Sequence, residues 1–262
     1  MTTRAITSKD VASLPVPGYN LADSIKFSPD DTLLTYLRSP NQTLTRQLYA
    51  YNIKTEKEYI YAEPNADDGK SEENLSMEEK LRREVIDFLL FRISEIDFFH
   101  SLQRQRQLIT GITRYQWAKN QHQSLMLIPI GSDLYIHDGK ELRLFVNGSN
   151  QPPIIDPKLS PDGSSVAYVQ DRELYCVSTV TPSATPRQLT FDARDHPNKS
   201  NGLAEFIAQE EMERSEGFWW SDDSRFIAFT QVDESNVPVF RISHSGSHDP
   251  DQVNSTIQSM SS

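Results

Sequence analysis

The chain has 262 residues, 37% of them hydrophobic and 24% charged, and its 26 Lys and Arg against 37 Asp and Glu leave a net charge of −11. An acidic surface of this kind argues against nucleic acid or an anionic membrane as the main partner. The single cysteine, Cys176, excludes an internal disulfide framework and a cysteine-rich zinc site. No apolar run has the length of a membrane span or the form of a secretory signal at Met1, so a reducing, cytoplasmic location is expected.

Residues 1–14 are polar and read as a loose lead-in. From Ile25 the text becomes β-like. Ser24-Ile25-Lys26-Phe27 leads into Ser28-Pro29-Asp30-Asp31 and then Leu33-Leu34-Thr35-Tyr36-Leu37. The middle four residues suit a type I turn: Ser can bond the turn backbone, Pro fixes φ at the second position, and Asp tolerates the third. Two short apolar strands around such a turn make a hairpin. Leu48-Tyr49-Ala50-Tyr51-Asn52-Ile53 and Glu58-Tyr59-Ile60-Tyr61 form a further strand pair, as do Leu134-Tyr135-Ile136-His137 and Leu142-Arg143-Leu144-Phe145-Val146.

The turn phrase recurs. Lys158-Leu159-Ser160-Pro161-Asp162-Gly163 precedes Val166-Ala167-Tyr168-Val169, and Trp219-Trp220-Ser221-Asp222-Asp223-Ser224 precedes Phe226-Ile227-Ala228-Phe229. Asp30, Asp162 and Asp222 read as turn residues, and Trp219 and Trp220 as packing residues of a strand. Ser160 and Ser221 lie 61 positions apart, more than the ~40–50 residues of a four-stranded propeller blade, so an insertion lies between them. Leu174-Tyr175-Cys176-Val177 and Arg187-Gln188-Leu189-Thr190 complete the blade begun at Ile154. The fold class expected is all-β: a partial, open β-propeller of four-stranded blades over residues 15–242, with a short helical insertion carrying Glu-Glu.

Two stretches break the pattern. Residues 63–110 begin as an acidic loop and continue through Ser76-Met77-Glu78-Glu79, which fits a capping box opening a helix. Residues 243–262 are Ser-rich and aperiodic and read as a disordered tail. His244 and His248 in that tail have helical spacing but no third ligand, so neither a metal nor a cofactor is expected.

The segment that can carry chemistry runs from Gly202 to Arg214: Gly-Leu-Ala-Glu-Phe-Ile-Ala-Gln-Glu-Glu-Met-Glu-Arg. It is rich in helix formers and lacks β-alternation. Glu210 and Glu211 are adjacent, about 100° apart on a helix, and two carboxylates side by side repel unless a cation sits between them. A primary ammonium, with three donors and one positive charge, suits such a pair. A solvated acidic helix face is the alternative.

This run, continued by Gly217-Phe218-Trp219-Trp220-Ser221 and Val232-Asp233-Glu234-Ser235-Asn236-Val237-Pro238, resembles the double-glutamate segment of the dipeptidyl peptidase IV family, most of all its cytosolic, plant and bacterial branch. Leu14-Pro15-Val16-Pro17-Gly18 and the strands from Ser24 to Ile53 continue the resemblance. It implies a helical insertion in an eight-bladed propeller whose two glutamates, Glu210 and Glu211 here, hold the free N-terminus of a peptide substrate. Cleavage then falls after the second residue, usually proline. The family also has an arginine-rich segment that grips a substrate carbonyl. Leu81-Arg82-Arg83-Glu84 and Arg104-Gln105-Arg106 resemble it, which leaves Arg82, Arg83, Arg104 and Arg106 as unassigned candidates.

Residues 85–103, an apolar stretch, interrupt that text, and removing them would restore Leu-Arg-Arg-Glu-Arg-Gln-Arg. They read either as a retained intron or as an amphipathic helix used at an interface. The resemblance places the family's Ser-His-Asp chemistry in a C-terminal α/β-hydrolase domain. No Gly-x-Ser-x-Gly occurs here, and the resemblance ends after Ile242. The chain is therefore expected to be a truncated recognition part, inactive alone as a peptidase, binding a peptide with a free N-terminus and pairing with a full-length family member or a second copy. A non-catalytic binding module, or a product without function, is the other reading.

Overall fold

The computed structural model describes residues 7–8, 21–40, 43, 45–64, 110–119, 124–181, 183–212 and 214–238. Most of the expected lead-in, most of the 63–110 segment with its 85–103 stretch, and the 243–262 tail lie outside the described residues.

Antiparallel sheets follow one another along the chain. In the first blade β1 (Asp23–Phe27), β2 (Leu33–Arg38), β3 (Thr45–Asn52) and β4 (Lys57–Ala62) lie in sequence order. Beside them, β5 (Thr110–Gly111) runs parallel to the start of β3. The second blade is β6 (Gln116–Trp117), β7 (Met126–Ile130), β8 (Asp133–His137) and β9 (Leu142–Val146). The third is β10 (Ile155–Leu159), β11 (Ser165–Gln170), β12 (Glu173–Ser178) and β13 (Arg187–Gln188). The all-β, open propeller architecture is thus as expected. Ala62 pairs with Leu48 and Thr110 with Thr45. The inserted segment therefore leaves and rejoins the sheet within three positions of one strand, ~10 Å. An insertion whose ends meet in this way need not disturb the blade.

The recurring turn is one device built three times. Asp31, Gly163 and Ser224 donate their N–H to Ser28, Ser160 and Ser221 carbonyls at 2.9, 2.8 and 2.9 Å. Each serine hydroxyl donates to the aspartate two residues on, at 2.6 Å in every copy, and accepts the N–H of Leu33, Ser165 or Phe226. The carboxylates are Asp30, Asp162 and Asp223. Asp222 is a turn residue as expected, at the proline position of the phrase, and the carboxylate that accepts the serine hydroxyl is its neighbour Asp223. The fourth turn residue is left-handed in each copy, at φ 55°, 76° and 62°, which is why a glycine serves at 163. In the second blade Ala118 donates to Leu125 O at 2.9 Å, next to the β6–β7 pairing and without the Ser-Pro-Asp text.

The central strands of the second and third blades carry apolar residues on both faces because each of these blades is packed on both sides. In β11, Val166 and Tyr168 join Leu125, Leu127, Leu134 and Ile136 of the second blade, while Ala167 and Val169 face Phe218 and Trp220. In β7, Met126, Ile128 and Ile130 pack on Leu37 and Leu48 of the first blade. Polar contacts stitch the inner strands across the same seams. Lys26 Nζ donates to Tyr115 O at 2.8 Å and Lys158 Nζ to Phe218 O at 2.6 Å. Each ammonium also stands over the ring of the residue it bonds, at 4.8 and 4.4 Å. The two lysines occupy the same place in the turn phrase, two residues before its serine.

Candidate functional site

Beyond the third blade the inner strand is split. β14 (Lys199–Asn201) pairs with β17 (Gln231–Asp233), and β15 (Phe218–Trp220) pairs with β16 (Ile227–Phe229). Asn201 faces Gln231 and Phe218 faces Phe229, so the chain from 202 to 217 stands opposite the single residue Thr230. It is an overgrown β-bulge, and it carries the acidic helix.

Thr230 closes its base. Gly202 donates to Thr230 O and Thr230 to Gly217 O, both at 2.8 Å, and the threonine hydroxyl reaches Leu203 O and Gly217 O. Two backbones meet here with no room for a side chain: a Cβ on Gly217 would lie 2.4 Å from the backbone of Gly202. Gly202 itself has φ +79°, and a Cβ there would lie 2.9 Å from Leu174. A bridge between Leu203 and Glu216 adds to the closure.

Within this excursion, helix α1 spans only Phe206–Glu210, and Glu211 is its C-cap, at φ −111° and ψ −25°. The helix expected across 202–214 is therefore shorter. Glu210 is the last helical residue and Glu211 the cap, at the end where the helix dipole is negative, and the last turn holds no basic residue. The two candidate residues consequently stand at a helix terminus, as its last residue and its cap, rather than along a helix face. Glu211 is exposed; the Glu210 side chain lies outside what is described.

The surrounding charges are matched. Glu205 Oε2 lies 2.8 Å from Arg214 Nη2. Glu216 Oε1 lies 3.5 Å from Lys158 Nζ, which also meets Asp156 Oδ2 at 2.9 Å. Asp156 in turn lies 3.8 Å from Arg114. Glu205 and Glu216 thus have cations, whereas Glu211 has no ion-pair partner among the described residues. Such a carboxylate at the negative end of a helix is suited to an external cation with several N–H donors.

Sequence reasoning did not single out Arg214, Glu205, Lys158 or Thr230, whose roles depend on contacts between distant positions. The two glycines flanking the helical run were the available signal for the closed base. Trp220 packs as expected, donating to Lys158 O at 3.3 Å. Trp219 does not: it is 38% exposed. Arg82, Arg83, Arg104 and Arg106 lie outside the described residues.

Successive four-stranded blades with a split inner strand define a β-propeller protein. The family described as the dipeptidyl peptidase IV (DPP IV) N-terminal region matches residues 115–258, and the chain belongs to it. The match continues past Ile242, into the Ser-rich stretch set apart above. Human prolyl endopeptidase FAP is 34% identical over 105 residues, 39% of this chain and 13% of that protein. Human dipeptidyl peptidase 8 is 27% identical over 164 residues, 53% of this chain and 18% of its own length. Dipeptidyl aminopeptidase B of Saccharomyces cerevisiae is 34% identical over 84 residues, 32% of this chain and 10% of its own. The chain thus matches less than a fifth of the length of these peptidases. A crystal structure of Porphyromonas gingivalis dipeptidyl peptidase 4 aligns with a TM-score of 0.49 at 20% identity, covering 85% of this chain and 27% of that one. Among the described residues no helix is long and apolar enough to cross a membrane.

Proposed function

We propose that the acidic excursion holds the free N-terminal ammonium of a peptide, with Glu210 and Glu211 as the anchoring carboxylates. The chain would act as the substrate-recognition part of a dipeptidyl peptidase IV-like serine exopeptidase. Anchoring the amine fixes how far a peptide enters, so cleavage after the second residue follows from distance. Hydrolysis itself falls to an α/β-hydrolase domain of the family type, and an arginine among Arg82, Arg83, Arg104 and Arg106 would grip the substrate carbonyl. The observation that carries the reading is the charge matching: Glu205 and Glu216 are paired, while exposed Glu211 has no cation among the described residues.

The test is equilibrium binding of an Ala-Pro-Ala tripeptide and its N-acetylated twin to the full chain. A charge-assisted hydrogen bond contributes about 1.5–3 kcal/mol, so the free-amine peptide should bind ten- to a hundred-fold more tightly. Glu210→Gln and Glu211→Gln should each reduce that preference. Equal affinity for the two peptides contradicts the reading.

A further inference from the structure

Arg214 is the point at which the excursion is tied to itself. Its Nη2 meets Glu205 at the entry to α1 at 2.8 Å, and its Nη1 donates to Glu216 O at the exit at 2.9 Å. Its backbone N–H donates to Ala208 O inside the helix at 2.8 Å. That last bond closes a loop over the residues between 208 and 214, and Glu211 lies within it. One residue therefore fixes the entry, the helix and the exit of the segment that presents the acid pair.

Glu205 is used unusually. It stands at the N-cap of α1, where a side-chain oxygen ordinarily accepts an N–H of the first turn, yet it makes no capping bond. Its carboxylate goes to Arg214 instead. A local preference is given up for a contact that shapes the loop. The pairing also neutralises a guanidinium only three positions along the chain from Glu211, which would otherwise repel an incoming ammonium.

We infer that Arg214, paired with Glu205, is the positioning residue for the amine-anchoring carboxylates. It acts on the ligand only through the turn it holds, and a guanidinium suits the task because its planar fork serves the carboxylate and the carbonyl together. This inference rests on the amine-anchoring reading above.

The test measures the free-amine preference, the ratio of affinities for Ala-Pro-Ala and its N-acetylated twin, in the full chain and its variants. Arg214→Ala should lower the ratio about ten-fold, because small misplacements of an anchoring group are costly. Affinity for the acetylated peptide should stay within about two-fold. Arg214→Lys keeps the charge but not the fork and should restore only part of the ratio. Glu205→Gln, the smaller change should Arg214→Ala fail to fold, should lower the ratio at least as much as Arg214→Lys, because it leaves the guanidinium unneutralised. If Glu211→Gln abolishes the preference while Arg214→Ala and Glu205→Gln keep it, this inference is overturned and the amine-anchoring reading stands. If the wild-type chain shows no preference, both fall.

Discussion

In the third blade, Val166 and Tyr168 pack toward one neighbour and Ala167 and Val169 toward the other, all of them buried. The excursion that follows is assembled differently. Its base is held by Thr230 and two glycines, its loop by Arg214 and Glu205, and its flank by Lys158 and Glu216. Apolar packing on two faces specifies a sheet tolerant of sequence detail. Directional bonds between charges and backbone hold a loop in one shape but depend on single residues. The blades serve as a frame, and the excursion is the part whose geometry particular side chains set.

The largest expected effect lies in the frame. Tyr168 is buried between blades and stacked on Tyr175 at 5.7 Å. Tyr168→Ala should cost about 3–5 kcal/mol, the range for removing a buried aromatic, read as a lower urea midpoint. An unchanged midpoint would mean that the seam between the second and third blades is not a real core.

Next comes the base of the excursion. Gly217→Ala places a methyl 2.4 Å from the Gly202 backbone and should cost about 1–3 kcal/mol of strain. Hydrogen exchange should show protection lost at Gly202 and Thr230 while β7, β11 and β12 keep theirs. Loss of protection throughout would show that frame and excursion are one cooperative unit.

A smaller effect depends on pH. Glu173 is 1% exposed. Burial pushes its carboxyl up. Bonds from Thr190 and Asn201, and from the Ala193 and Arg194 amides, outweigh that and hold it below the usual glutamate range. A carboxyl lowered in the folded state contributes stability that is complete above the unfolded value and lost as pH falls through the folded one. Stability should therefore decline on acidification below ~4, and Glu173→Gln should flatten that decline. Asp30 and Asp223, held low first by their serine hydroxyls, act in the same direction. The smallest change is at a turn: Ser160→Ala removes two local bonds and should cost about 1 kcal/mol, seen as a small drop in melting temperature.

The blades were legible where local chemistry writes them. Ser-Pro-Asp encodes a turn through its own side chains, so Ser28 and Ser160 announced their hairpins. The β6–β7 pair, joined at Ala118 N–H to Leu125 O, carries no such phrase, so nothing local announces it. The acid pair was visible as adjacent letters, but the end of α1 at Glu210 was not, because helix propensity across 202–214 gives no sign of where the dipole and the return of Arg214 to Ala208 stop the helix. The contact of Lys158 with Phe218 O joins positions 60 residues apart, and no local pattern reports such a pairing.

The central claim is that the excursion binds an ammonium through its acid pair. A crystal structure of the chain with Ala-Pro-Ala tests it most directly. The account predicts the peptide nitrogen within about 3 Å of a carboxylate oxygen of Glu210 or Glu211, with Arg214 still on Glu205. A peptide bound with its amine in solvent, or seated away from the excursion, would contradict it.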